Sequence, residues 1–196
     1  MYANCKRIVD FFLALSGLLL LSPLFIVLML IIKMDSKGPI FFKQKRFGKN
    51  KTFFCIYKFR TMRTDTPKDM PTHLLKDPDK CITKMGHFLR KSSLDELPQL
   101  INILKGNMAV IGPRPALWNQ DDLIAERDKY GANNIRPGLS GWAQINGRDE
   151  LPIDVKARLD GYYVKNMGLM LDIKCFFGTL GTVLNRKGIV EGEAKK

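Results

Sequence analysis

KRIVDFFLALSGLLLLSPLFIVLMLIIK, the stretch Lys6–Lys33, decides how the rest of the chain is read. From Phe11 to Ile32 it runs 22 residues without a formal charge, mostly Leu, Ile, Phe and Val. A straight helix of that length measures about 33 Å, against roughly 30 Å of bilayer hydrocarbon. Length therefore permits crossing. A run this long and apolar argues against the buried helix of a soluble protein. A cleavable signal is set aside, because the run exceeds an ordinary signal core and no small-x-small site follows before Lys33.

Two features oppose a plain crossing. Pro23 has no amide for the carbonyl of Leu19 and its ring clashes there, which bends or breaks the helix at a cost of about 3 kcal/mol. The Ser22 hydroxyl is placed to help satisfy the freed backbone groups. Both flanks are also basic, with Lys6 and Arg7 before and Lys33, Lys37, Lys43, Lys45 and Arg46 after. Positive flanks stay on the cytoplasmic side. A helix bent at Ser22-Pro23 that enters and leaves the same leaflet satisfies both features; a kinked spanning helix is the alternative. The expected division is a re-entrant membrane helix over 1–36 and a cytosolic domain over 37–196.

The 196 residues suffice for one domain with a real core. Lys plus Arg is 32 against 19 Asp plus Glu, a formal net charge of +13. Such an excess implies an anionic partner: nucleic acid, an anionic membrane surface or phosphorylated substrates. Cys5, Cys55, Cys81 and Cys175 form no C-x-x-C pair, and His73 and His87 are not spaced with them as zinc ligands. Reduced cytosolic thiols are the reading.

Residues 39–62 carry two stretches rich in Phe, Ile and Tyr around Gly48-Lys49-Asn50, which predicts a β-hairpin. Residues 63–83 are polar, contain Pro67, Pro71 and Pro78, and read as a surface loop. Met85–Lys91 is predicted helical, and a second helix is expected near Ser93, whose S-x-x-E spacing to Glu96 fits a capping box. Asp95 with Pro98 in the first turn is the other possible start. Residues 111–115 read as a rigid loop, 116–130 as helix, 136–148 as a glycine-studded loop and Val155–Leu184 as helix. In the last, Leu169, Ile173, Phe176, Phe177 and Leu180 form an apolar face that suits a membrane surface or a core equally. The expected fold class is α+β: a small helix-rich domain with one short hairpin, a membrane helix hairpin and membrane-surface amphipathic helices.

Asp95 and Glu96 are the first candidates for chemistry. At a helix N-terminus the unpaired amides favour a carboxylate, which keeps it available as nucleophile or metal ligand. Capping is the plain structural role for the same residues. Arg114 stands between two prolines of fixed φ, so its guanidinium can meet a phosphate with little ordering cost. Arg90 and Arg148 add positive charge, as pyrophosphate recognition requires. Trp142 suits a nucleobase stack or, more simply, a loop anchor. Asp154 and Asp160 read as solvated residues of a charged helix.

These pieces resemble the bacterial sugar transferase family, the small monotopic phosphoglycosyl transferases that start glycan assembly on undecaprenyl phosphate. The resemblance is carried by KRIVDFFLAL (6–15) with Ser22-Pro23, GPIFFKQKR (38–46), KFRTM (58–62), LRKSSLDELPQL (89–100), IGPRP (111–115) and RPGLSGWAQINGR (136–148). They stand in family order over nearly the whole chain; each is weak alone and the ordered set is specific. Ser140 departs from the usual Thr but keeps the hydroxyl. The resemblance implies a re-entrant helix bent at Ser22-Pro23, a catalytic Asp95-Glu96 dyad, and Mg²⁺ on that dyad. It implies that Asp95 attacks the β-phosphorus of a UDP-sugar, releases UMP and forms an acyl phosphate, which polyprenyl phosphate then attacks. Arg90, Arg114, Arg148 and Gln144 are the residues assigned to substrate.

The expected place is the bacterial inner membrane, with the catalytic domain on the cytoplasmic face; a homo-oligomer is left open. A nucleic-acid-binding protein would need a recognition helix or a basic-aromatic platform, and neither is found. A non-catalytic basic membrane protein accounts for the charge but not for the dyad and the proline-bracketed arginine. A polyprenyl-phosphate glycosyltransferase, which would release UDP, is the nearest enzymatic alternative.

Overall fold

The structure is a computed structural model that describes residues 2–67, 78–147 and 151–185. Its first two elements are the apolar run, divided into α1 (Tyr2–Leu20) and α2 (Ser22–Asp35). They meet at 63°, and no single helix among the described residues is long and apolar enough to cross a membrane. The bend falls at the proline. The Leu19 carbonyl, deprived of a partner by Pro23, accepts a hydrogen bond from Ser22 Oγ at 2.8 Å. The serine thus repairs the defect that the proline creates.

Arginines fasten this hairpin to the rest of the chain. On α1, Arg7 donates to the carbonyls of Ile103 (2.6 Å) and Leu104 (2.8 Å) at the C-terminal end of α5 (Gln99–Leu104). Arg60 does the same for α2, its Nη2 reaching Ile32 O at 3.2 Å and Ser36 O at 2.6 Å. Ala14 packs with Ile56, Ile103 and Met108, while Phe25, Leu28 and Ile32 pack with Phe59 and Leu89. The opposite faces, including Ile8, Phe12, Leu19, Leu20, Ile26 and Leu30, are exposed.

The hairpin predicted over 39–62 is present as β1 (Phe41–Phe47) and β2 (Phe53–Phe59), antiparallel, with Gln44 opposite Ile56. Of the expected loop 63–83, residues 68–77 lie outside the described residues. Pro78–Cys81 forms α3, a turn of helix where loop was expected. Helix α4 (Lys84–Lys91) is capped by Thr83, which accepts from Gly86 N at 3.0 Å. Gly86 rests on the Thr61 carbonyl so closely that a Cβ there would lie 2.0 Å from it. Only glycine lets α4 come this near to the end of the hairpin.

The second half differs most from expectation. Ala109–Ile111 is a strand, β3, which ends where the loop 111–115 was expected to begin, and it pairs in parallel with β4 (Gly138–Ser140), inside the expected loop 136–148. A Cβ on Gly138 would lie 2.1 Å from Gly112 N, and one on Gly141 2.1 Å from Gly112 O. These glycines serve close backbone approach, a role that composition alone reads as looseness. The helix expected over 116–130 is confined to α6 (Asp121–Asp128). A short α7 (Trp142–Ile145) follows β4. The expected helix over Val155–Leu184 is two, α8 (Ile153–Lys165) and α9 (Leu169–Asn185), divided at 166–168. The α9 face of Leu169, Ile173, Phe176, Phe177 and Leu180 is exposed, and α9 instead buries Leu171 and Cys175. The domain is mixed helix and strand, as the α+β expectation holds.

Candidate active site

Asp95 and Glu96 do not sit in the first turn of an α-helix. Ser93 adopts a left-handed conformation (φ 56°), its side chain caps nothing, and Leu94–Glu96 form a 3₁₀ turn before Pro98 and α5. The capping box is therefore absent. Pro98, lacking an amide, separates the turn from the helix. The consequence is that both acids project from a tight turn between α4 and α5. Asp95 is buried and the Glu96 side chain is 13% exposed.

Their partners come from two other elements. Lys58, on β2, donates to Glu96 Oε1 at 2.7 Å and stands 3.8 Å from Asp95 Oδ2. Arg114, from the loop after β3, donates to the same Glu96 oxygen at 3.1 Å. Burial works to raise the Glu96 carboxyl, but the charges and hydrogen bonds of Arg114 and Lys58 outweigh it and hold Glu96 well below the usual carboxylate range. Asp95 goes the other way: burial, reinforced by the Glu96 charge, raises it against the pull of Lys58, Arg90 and Arg114. Two adjacent carboxyls are thus driven apart. Glu96 is a fixed anion, and Asp95 is a poorly solvated carboxylate with a lysine just beyond hydrogen-bond reach. A desolvated carboxylate is a stronger nucleophile than a hydrated one.

Arg90, on the last turn of α4, donates through Nε to Thr61 Oγ1 at 3.0 Å and adds its field to Asp95. The proline-flanked loop is rigid, as expected: the carbonyls of Pro113, Arg114 and Pro115 accept from Gly138 N (2.8 Å), Arg127 Nη1 (2.9 Å) and Arg46 Nη1 (2.9 Å). Gln144 begins one turn from Gly141, where both its amide atoms are buried without a hydrogen-bond partner. Arg148 lies outside the described residues. Trp142 stacks on Tyr162 with centroids 5.5 Å apart, in keeping with a loop anchor.

Two site features escaped sequence reading. Lys58 stands within KFRTM, and strand alternation places it on the same inward face as Phe54 and Ile56. A lysine in that register is the signal. Asp160, expected to be solvated, is 1% exposed and is held by Arg127 at 2.6 and 2.8 Å. It falls in the buried stripe of α8 with Ala157, Gly161 and Tyr163, so an acid inside an apolar stripe was the cue. Asp154 is exposed, as expected.

Comparison with known proteins identifies the family. The family model described as bacterial sugar transferase matches residues 1–186. The exopolysaccharide production protein PSS of Rhizobium leguminosarum bv. phaseoli is 39% identical over 193 residues, covering 92% of this chain and 96% of that protein. The UDP-N-acetylgalactosamine-undecaprenyl-phosphate N-acetylgalactosaminephosphotransferase of Aeromonas hydrophila is 38% identical, covering 95% of this chain and 45% of that one. For the UDP-glucose:undecaprenyl-phosphate glucose-1-phosphate transferase of Xanthomonas campestris pv. campestris the identity is 36%, with 95% and 40% covered. The match therefore takes in almost all of the first relative and less than half of the other two. By the family match over nearly its whole length, the chain belongs to the bacterial sugar transferases.

Proposed function

We propose that this protein transfers a sugar-1-phosphate from a UDP-sugar to a polyprenyl phosphate, releasing UMP, through a phosphosugar covalently bound to Asp95. The observation that carries this is the division of labour in the dyad: Glu96 takes hydrogen bonds from both Lys58 and Arg114, while Asp95 faces Lys58 at 3.8 Å. The names of the Aeromonas and Xanthomonas relatives, each an undecaprenyl-phosphate sugar phosphotransferase, support the donor and acceptor classes.

In the first step an Asp95 carboxylate oxygen bonds to the β-phosphorus, and the bond from that phosphorus to the oxygen bridging it to the α-phosphate breaks. UMP leaves with the electron pair. In the second, an oxygen of polyprenyl phosphate bonds to the same phosphorus and the carboxylate departs, giving a diphosphate-linked sugar lipid. An acyl phosphate is itself a mixed anhydride, so the first step keeps the transfer potential that the second requires. In this reading Arg114 and Arg90 bind phosphate oxygens, and Lys58 balances the charge passing between Asp95 and the leaving group. Arg148 and Gln144 are proposed to complete the donor site. Gln144 supports this through an amide that lacks hydrogen-bond partners although buried.

Mg²⁺ fits the dyad chemically. No group of three or more His, Cys, Asp or Glu gathers among the described residues. Two carboxylates completed by phosphate oxygens and water form a donor set that Mg²⁺ accepts. Asp95 and Glu96 would hold it, and when bound it would neutralise phosphate charge.

The bent helices α1 and α2 are proposed as a re-entrant membrane hairpin (1–36) carrying a cytosolic catalytic domain (37–196) on the inner face of the bacterial inner membrane. The exposed apolar faces of the hairpin and of α9 support this placement. The test is nucleotide release from a panel of UDP-sugars with Mg²⁺ and undecaprenyl phosphate in nanodiscs. UMP with a diphosphate-linked lipid is expected; UDP with a monophosphate-linked lipid would move the protein to the glycosyltransferases.

A further inference from the structure

Arg127 and Asp160 touch no reacting group, yet they lie one hydrogen bond behind Arg114. Both are almost wholly buried, at 3% and 1% exposure. Asp160 Oδ2 accepts from Arg127 Nε and Nη2, which sets the plane of the guanidinium. The remaining nitrogen, Nη1, donates to the Arg114 carbonyl at 2.9 Å. Arg114 in turn donates to Glu96. A path of direct hydrogen bonds thus runs from α8, through α6 and the loop after β3, to the neighbour of the proposed nucleophile.

The loop needs such a fastening. Pro113 and Pro115 have no amide hydrogen, so backbone there is tied down chiefly by its carbonyls. Gly138 and Arg46 hold the two outer ones, and the middle one, Arg114's own, belongs to Arg127. The task also requires arginine. A planar fork can serve a carboxylate along one edge and a carbonyl from another nitrogen, whereas a lysine offers three donors at one point. Stability alone does not account for the pair, since packed apolar residues of similar volume often serve a core as well as a buried ion pair does.

We propose that Arg127, oriented by Asp160, is a positioning residue that sets where the Arg114 guanidinium meets the phosphate of the donor. The inference rests on the assignment of Arg114 to donor binding. The test is a double-mutant cycle in nanodiscs with Arg127→Lys, Arg114→Lys and the double variant, read as kcat/KM for nucleotide release, as Kd for UDP, and as melting temperature. Each single variant is expected to lose about tenfold or more in kcat/KM and in UDP affinity, and the double variant no more than the worse single variant.

Losses that multiply in the double variant would overturn the proposal. So would an Arg127→Lys protein within twofold of wild type in both readouts, whatever its melting temperature. If Arg127→Lys does not fold, the isosteric Asp160→Asn replaces it in the same cycle with the same criteria. UDP binding requires no turnover, so the two ideas fail separately. A wild-type protein that releases no UMP speaks against the transfer reaction, while the UDP cycle still decides the role of Arg127.

Discussion

Two buried clusters of charge organise this protein, and they treat their acids differently. At the root of the helix hairpin, Asp172 accepts hydrogen bonds from Tyr2 (2.8 Å) and Tyr163 (2.6 Å) and pairs with Lys6 at 2.8 Å. Lys6 also reaches Asp10, which accepts from the backbone amide of Val110. This cluster joins α1, α8, α9 and β3. Burial and the neighbouring Asp172 keep the Tyr163 hydroxyl far above its ordinary range, so it stays a neutral donor. In the second cluster Glu96 takes hydrogen bonds from Lys58 and Arg114 on Oε1, but Asp95 has its lysine only at 3.8 Å. The first arrangement holds helices together. The second leaves one carboxylate incompletely satisfied beside cations already in place, which is the condition of a poised nucleophile.

The comparison breaks first at Asp95. Asp95→Asn is expected to lower UMP release by at least about a thousandfold with little change in melting temperature. An equal effect from Asp172→Asn, at unchanged stability, would erase the distinction between the clusters. Lys58→Met and Arg114→Ala are next, each expected to lose about a hundredfold in kcat/KM.

The pH profile sharpens the contrast. Asp95 works as a carboxylate and burial raises its pKa, so the acid limb of kcat/KM is expected above the ordinary aspartate range. Lys58 opposes that rise, so in Lys58→Met the limb should move to still higher pH; a shift to lower pH contradicts the assignment.

Asp172→Asn is expected to act on stability instead. Loss of charge on a buried, paired acid should cost about 3 kcal/mol in denaturant unfolding, with kcat of the folded fraction within about threefold of wild type. The smallest effect is that of Ser22→Ala, at about 1 kcal/mol, since it removes one hydrogen bond to the Leu19 carbonyl.

How much of this was legible in the sequence follows from how local each cause is. The hairpin and the bend at Ser22-Pro23 depend on neighbours in the chain, and both appear where expected. The capping box at Ser93 failed although its spacing is correct. Pro98 and the left-handed Ser93 give a 3₁₀ turn, and spacing carries no information on φ. The pair β3 and β4 is not legible as strands because each has three residues and they meet through glycines, with no side-chain alternation to detect. Within the site, Asp95, Glu96, Arg90 and Arg114 were singled out and converge. Lys58 was missed because its partner lies 38 residues away in sequence. Asp160 was misread because a charged residue was weighed by type and not by the stripe it occupies.

A covalent intermediate on Asp95 can be detected by omitting the acceptor. Wild-type protein in nanodiscs is mixed with Mg²⁺ and an accepted UDP-sugar, without polyprenyl phosphate, and the products of a single turnover are followed together with intact and peptide masses. UMP is expected in an amount matching the enzyme, with a phosphosugar adduct on the peptide carrying Asp95 that disappears when undecaprenyl phosphate is added. No UMP and no adduct until the lipid arrives would contradict a covalent intermediate, because the phosphosugar would then pass directly from donor to acceptor.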